Sequence, residues 1–147
     1  YRNGWGVKQD YKQAAKLYTI SAEKGYAVAQ YNLSVLYENG YGVPLNLENS
    51  ATWCLKAAKQ GNAYAQNKIG NMYENGIGVQ SDFVEAVKWY TMAADQGNST
   101  ALYNLGYMYY NGLGVEQNSK KGLILYKKSA LQGNKHAIEE LEQLGED

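Results

Sequence analysis

The chain has 147 residues, 45% of them hydrophobic and 19% charged, with 14 Lys and Arg against 14 Asp and Glu. That composition supports a folded core and argues against a nucleic-acid footprint. No apolar run approaches the roughly 20 residues of a bilayer-spanning helix, so direct membrane insertion is not expected. A single cysteine excludes an internal disulfide and suits a cytoplasmic, periplasmic or secreted setting equally.

The chain opens at Tyr1 on a phrase, Asn-Gly-x-Gly-Val, that begins at positions 3, 39, 75 and 111, a period of 36 residues. A fixed period of this size marks stacked helical repeats. Repeat units are expected at 1–25 (partial), 26–61, 62–97 and 98–133, with a capping helix over 134–147, all in one domain. The first copy has no helix in front of it and no initiator Met. The expectation is an excised or processed chain, whose open Tyr11–Lys24 face could pair with another copy.

In chain order, the first predicted helix is Tyr11–Lys24, with Ala14, Leu17, Tyr18, Ser21 and Ala22 on one face. Tyr26–Glu38 follows, with Ala29, Leu33, Leu36 and Tyr37 at i, i+4, i+7 and i+8. Leu47–Gln60 is the next, and the pair then repeats every 36 residues. Asp10, Asn46, Asp82 and Asn118 are expected N-caps, since their side chains can accept from free backbone N–H groups. Gly25, Gly61, Gly97 and Gly133 fall where a left-handed C-terminal residue is wanted. The two glycines of each phrase should end one helix and turn the chain into the next. Short connections make the neighbours antiparallel. The class is all-α, a solenoid of antiparallel helix pairs. Small residues at Ala14, Ser50, Ala86 and Gly122, and at Ser34, Gly70 and Gly106, should let helices approach closely, with Trp53, Trp89, Tyr90 and Tyr126 filling the remaining volume. In the last helix Glu142 takes the small-residue column and Gly145 that of the tyrosines. With Glu139, Glu140 and Glu146 this reads as the polar face of a true end.

Ala63-Tyr64-Ala65, Ile69-Gly70, Tyr73, Gly76-Ile77-Gly78-Val79, Asp82, Ala86, Trp89-Tyr90, Ala93-Ala94 and Gly97 resemble a Sel1-like repeat, a relative of the tetratricopeptide repeat. The likeness covers nearly the whole chain. It implies a right-handed α-solenoid that serves as a protein-complex adaptor, common in bacteria and often exported. Cys54 stands alone in the column of Tyr18, Tyr90 and Tyr126, which excludes the subgroup with two cysteines per repeat.

By the same resemblance, the first helix of each pair lines a concave groove. The candidate partner-binding residues are Tyr31, Val35 and Glu38; then Tyr64, Asn67, Asn71 and Glu74; then Tyr103, Tyr107 and Tyr110; and last His136. Val28, Thr100, Glu139 and Gln143 belong to the same columns. Tyr103, Tyr107 and Tyr110 lie at i, i+4 and i+7. Tyrosine offers large, stiff contact area and a hydroxyl, which suits recognition, although packing on neighbouring helices explains the same residues. Asn67, Asn71 and Glu74 could hydrogen-bond an extended peptide, or form a solvated helix face. A clamp for a terminal carboxylate would want Lys or Arg, and only Lys68 is near, at the groove's edge.

Chemistry is not expected. His136 is the only histidine, so neither a zinc cluster nor a nucleophile–histidine pair assembles. Cys54 reads as a core residue. No cofactor, metal or nucleic-acid partner is expected. The leading expectation is a non-enzymatic scaffold for a protein or peptide. The alternatives are an interaction module of a longer enzyme, an effector-neutralising protein, or a self-associating structural module.

Overall fold

In a computed structural model, residues 5–146 are described, with side chains from Asp10 onward. These residues form helices α1 (Trp5–Glu23), α2 (Ala27–Asn39), α3 (Leu47–Lys59), α4 (Ala63–Asn75), α5 (Phe83–Asp95), α6 (Ser99–Asn111), α7 (Ser119–Leu131) and α8 (Lys135–Gln143), and no strand. Each helix packs on its neighbour in sequence, most extensively within the pairs α2·α3, α4·α5 and α6·α7. The result is an α-solenoid of antiparallel pairs.

The caps follow the chemistry of the sequence. Asn46 accepts from the Asn49 N–H at 2.9 Å, Asp82 from those of Val84 and Glu85, and Asn118 from that of Lys121. A second set of caps was not anticipated: Asn62, Asn98 and Asn134 accept from Ala65, Ala101 and Ala137 at the start of each first helix. Tyr26 holds that position before α2, with no side-chain bond.

The phrase works as a turn in its last three copies. Gly40, Gly76 and Gly112 have φ of 66–67° and close α2, α4 and α6, their N–H groups bonding to the carbonyls of Leu36, Met72 and Met108. The second glycine lies against the backbone of an earlier helix. A side chain at Gly42 would collide with the backbone of Tyr11, and one at Gly78 with that of Leu47. The first copy behaves differently. Asn3 and Gly4 lie outside the described residues, while Trp5–Val7 are helical and α1 runs on through Asp10, which therefore caps nothing.

The core follows the columns. Ala29, Ala65, Ala101 and Ala137 are buried, as are Leu33, Ile69, Leu105 and Leu141. Where α4 crosses α5, a Cβ at Gly70 would sit 2.7 Å from the Tyr90 ring. Where α6 crosses α7, a Cβ at Gly106 would sit 2.9 Å from Tyr126 and 3.0 Å from the Gly122 carbonyl. In the α2·α3 crossing the ring is replaced by Cys54 and the glycine by Ser34, whose hydroxyl lies 3.1 Å from that of Ser50. Volume lost on one helix is regained on the other, as close packing requires.

Buried glutamines tie the repeats together. Gln30 donates to the Ala22 carbonyl and accepts from Gln60, which also donates to the Gly25 carbonyl. Gln66 repeats this with Ala58, Gln96 and Gly61. In the next repeat Leu102 stands in the Gln66 column, buried, and Gln132 has no such partner.

Candidate functional site

The first helices α2, α4 and α6 place their variable columns side by side. A depression of about 560 Å3 is lined by Tyr31, Tyr64, Asn67 and Asn71, together with Lys68 and Thr100 and the ends of neighbouring loops. It gathers four of the candidate residues. Tyr64 is 68% exposed, and its ring centroid lies 6.4 Å from that of Tyr31. Burial, and then the charges of neighbouring groups including Glu38, push the Tyr31 phenol upward. The Asn67 carbonyl accepts from Asn104 at 3.0 Å, leaving its amide N–H groups for other acceptors.

Glu38 and Glu74 serve internal bonds. Glu38 pairs with Lys68, and Glu74 accepts from the Tyr90 hydroxyl at 2.5 Å. Lys68 lines the depression instead of standing at its edge, and its charge is committed to Glu38. Among the described residues that leaves no free cation there to clamp a carboxylate. The Tyr90 phenol is pushed upward by burial and then by its bond to Glu74.

A second gathering lies toward α8. Tyr103 and Tyr110 flank Tyr126, with ring centroids 5.5 and 6.1 Å away, and Tyr103 also lies 5.9 Å from the His136 ring. Tyr107 is exposed beside them. Tyr103 and Tyr110 thus pack as well as face outward. Burial first, then the charge of Glu140, pushes the phenols of both Tyr103 and Tyr126 upward. Tyr126 is fully buried, and its hydroxyl has no hydrogen-bond partner among the described residues. Val35 is half-buried on α2 and joins neither gathering.

Column patterning gives Tyr90 and Tyr126 as volume alone and misses their part in the site. The Tyr90 hydroxyl reaches Glu74, and the Tyr126 ring packs against Tyr103 and Tyr110. A signal existed: Glu38 and Glu74 become Tyr110 one unit further on, while Cys54 becomes Tyr90 and then Tyr126. Cys54 is fully buried, its S–H donates to the Ala65 carbonyl at 3.3 Å, and burial pushes its thiol to about 12. Among the described residues no cluster of His, Cys, Asp and Glu is arranged to hold a metal, and no helix is long and apolar enough to cross a membrane.

The profile of the family described as Sel1 repeat matches residues 1–26, 27–62, 63–98 and 99–134. Among solved structures, a protective antigen of uropathogenic Escherichia coli strains displaying an SLR fold is 44% identical, with a TM-score of 0.85 over 92% of this chain and 29% of that one. A Sel1 repeat protein from Oxalobacter formigenes is 36% identical, with a TM-score of 0.81 over 86% of this chain and 52% of that one. Cysteine rich protein B of Helicobacter pylori is 26% identical, with a TM-score of 0.70 over 92% of this chain and 98% of that one. The chain therefore spans about a third and about half of the first two. No curated protein matches it.

Proposed function

This chain belongs to the Sel1-repeat family, and from that premise we propose that it is a non-enzymatic scaffold holding a protein or peptide along the face of α2, α4, α6 and α8. Sel1-repeat proteins are generally protein-interaction scaffolds. The observation that carries the reading is the depression gathering Tyr31, Tyr64, Asn67 and Asn71 from two successive first helices. Its polar groups are amides and phenols, able to donate and accept along an extended backbone, and its aromatic area is open to a partner. Tyr64, Asn71 and Tyr107 are exposed, so truncating them costs little core packing. The test is a pull-down from the native host with wild type and with Tyr64→Ala/Asn71→Ala/Tyr107→Ala, both confirmed as helical. The variant should lose the wild-type partners. Equal retention would place the binding surface elsewhere.

A second reading, self-association through α1, rests on one observation. Leu17 and Ile20 are 65% and 53% exposed, whereas Trp89 and Leu125, in the column of Leu17, are 7% and 8% exposed. Light scattering at rising concentration should then show a dimer that Leu17→Ser/Ile20→Ser dissolves. A wild-type protein that stays monomeric throughout rules this reading out.

A further inference from the structure

Resting on the scaffold reading, we propose that Tyr103, Tyr107, Tyr110 and Tyr126 form a seat for a lysine side chain of the partner, with Glu140 as its counter-charge. The first observation is the fully buried Tyr126 hydroxyl without a hydrogen-bond partner, set between Tyr103 and Tyr110. Unmet polar groups in protein interiors are rare, and this one carries lone pairs able to accept from an N–H donor.

The second observation is internal to the array. Two units earlier, the corresponding residues are Tyr31 for Tyr103, Glu38 for Tyr110, Cys54 for Tyr126 and Lys68 for Glu140. There the ammonium of Lys68 is bonded to Glu38, in a depression that Tyr31 also lines. The solenoid holds a lysine in that place with its own residue. Near α8 the lysine column carries Glu140, the small Cys54 has become a ring, and no ion pair engages Glu139 or Glu140 among the described residues.

Charge then selects the occupant. Glu140 and Glu139 both bear on Tyr103. An anion entering here would meet two carboxylates and the negative faces of the rings. An apolar group would leave the Tyr126 hydroxyl unmet. An ammonium answers the carboxylate and the ring faces and donates to the hydroxyl oxygen.

The probe is n-butylammonium, a stand-in for the lysine side chain, titrated at constant ionic strength while the ring resonances of His136 and the tyrosines are followed by NMR. Saturable shifts of Tyr103, Tyr107 and His136 are expected. Butyltrimethylammonium, which has no N–H, should bind about fivefold more weakly, and butyrate and n-butanol should not shift these signals. Glu140→Gln and Tyr126→Phe should each weaken butylammonium about fivefold with the helical spectrum unchanged. Equal shifts with butyrate or butanol, no shift with butylammonium, or a Tyr126→Phe protein that binds as wild type would each overturn the proposal. If the seat fails this test while the Tyr64→Ala/Asn71→Ala/Tyr107→Ala variant still loses its partners, the scaffold reading stands. If butylammonium binds and that variant keeps every partner, the scaffold reading falls and what remains is a cation-binding site with no partner on this face.

Discussion

The α2–α5 half and the α6–α8 half are built on the same columns, yet they close their polar groups differently. In the first half Gln30 and Gln66 link successive repeats, Lys68 answers Glu38, and the Tyr90 hydroxyl answers Glu74. In the second half Leu102 interrupts the glutamine ladder, Tyr110 stands where a glutamate stood, and the Tyr126 hydroxyl has no partner. The apolar and small-residue columns hardly change between the halves. A repeat protein thus keeps its architecture in one set of columns while another set decides which polar groups are met internally and which are offered outward.

The largest effect expected from this contrast is chemical. Cys54 takes the column that tyrosines hold in the second half, and its thiol sits at about 12 against an ordinary value of 9.0. At pH 8 the native thiolate fraction is then about a thousandfold below that of the unfolded chain. Labelling by a thiol reagent should be correspondingly slow and should follow opening of the fold. The raised value also sets a sign for stability. The contribution is complete below the unfolded value near 9, and it is lost as pH climbs from there through 12, because the unfolded chain gives up a proton that the native chain keeps. Rapid labelling of the native protein at pH 8 would break the assignment of Cys54 to the core.

Gly106→Leu comes next. Even a bare Cβ there meets the Tyr126 ring and the Gly122 carbonyl. Overpacking should cost roughly 1–3 kcal/mol net of the better helix propensity of leucine. A thermal melt should show a drop of about 3–10 °C, and an unchanged melt would mean that the α6·α7 crossing is wider than described.

The repeats, their helices and these close crossings were legible in the sequence because one backbone geometry repeats and sterics leave few residue types for it. Ala29, Gly70 and Leu105 carry that message singly. Asp10 misled, because an N-cap residue acts only where the chain enters a helix, and the chain there is already helical. The site was harder to read. Face periodicity brought Tyr31, Tyr64, Asn67 and Asn71 to one surface, but it is silent on contacts between helices. It could not show that Glu38 and Glu74 are engaged, nor that Lys68 is inside the depression. Those facts depend on side chains from the next repeat or the partner helix, some 16 to 30 residues away.

Tyr90→Phe should follow in size. It removes a bond to a carboxylate from a buried ring, at a cost of about 1–2 kcal/mol in a denaturant melt. Gln66→Leu copies into the first half what Leu102 does in the second. It removes the acceptor of Gln96 and the donor to the Ala58 carbonyl, and should cost about 1 kcal/mol. The reverse change, Leu102→Gln, offers Gln132 the partner it lacks. It should restore part of that amount, so a Leu102→Gln protein as destabilised as Gln66→Leu would show the ladder to be incidental.

Tyr126→Phe should have the smallest effect on stability, and that smallness is the point of comparison with Tyr90→Phe. Both rings are fully buried in the same column, and both substitutions remove one oxygen. At Tyr90 the oxygen is bonded to Glu74; at Tyr126 it is bonded to nothing. Removing an unmet buried hydroxyl relieves a desolvation cost, so the melt should be unchanged or raised by up to about 1 kcal/mol. Equal losses at the two positions would mean that Tyr126 is satisfied as fully as Tyr90, and the two halves would then differ in residue type alone. A loss at Tyr90 with none at Tyr126 would establish that the second half carries a polar group whose retention is not explained by the stability of the fold.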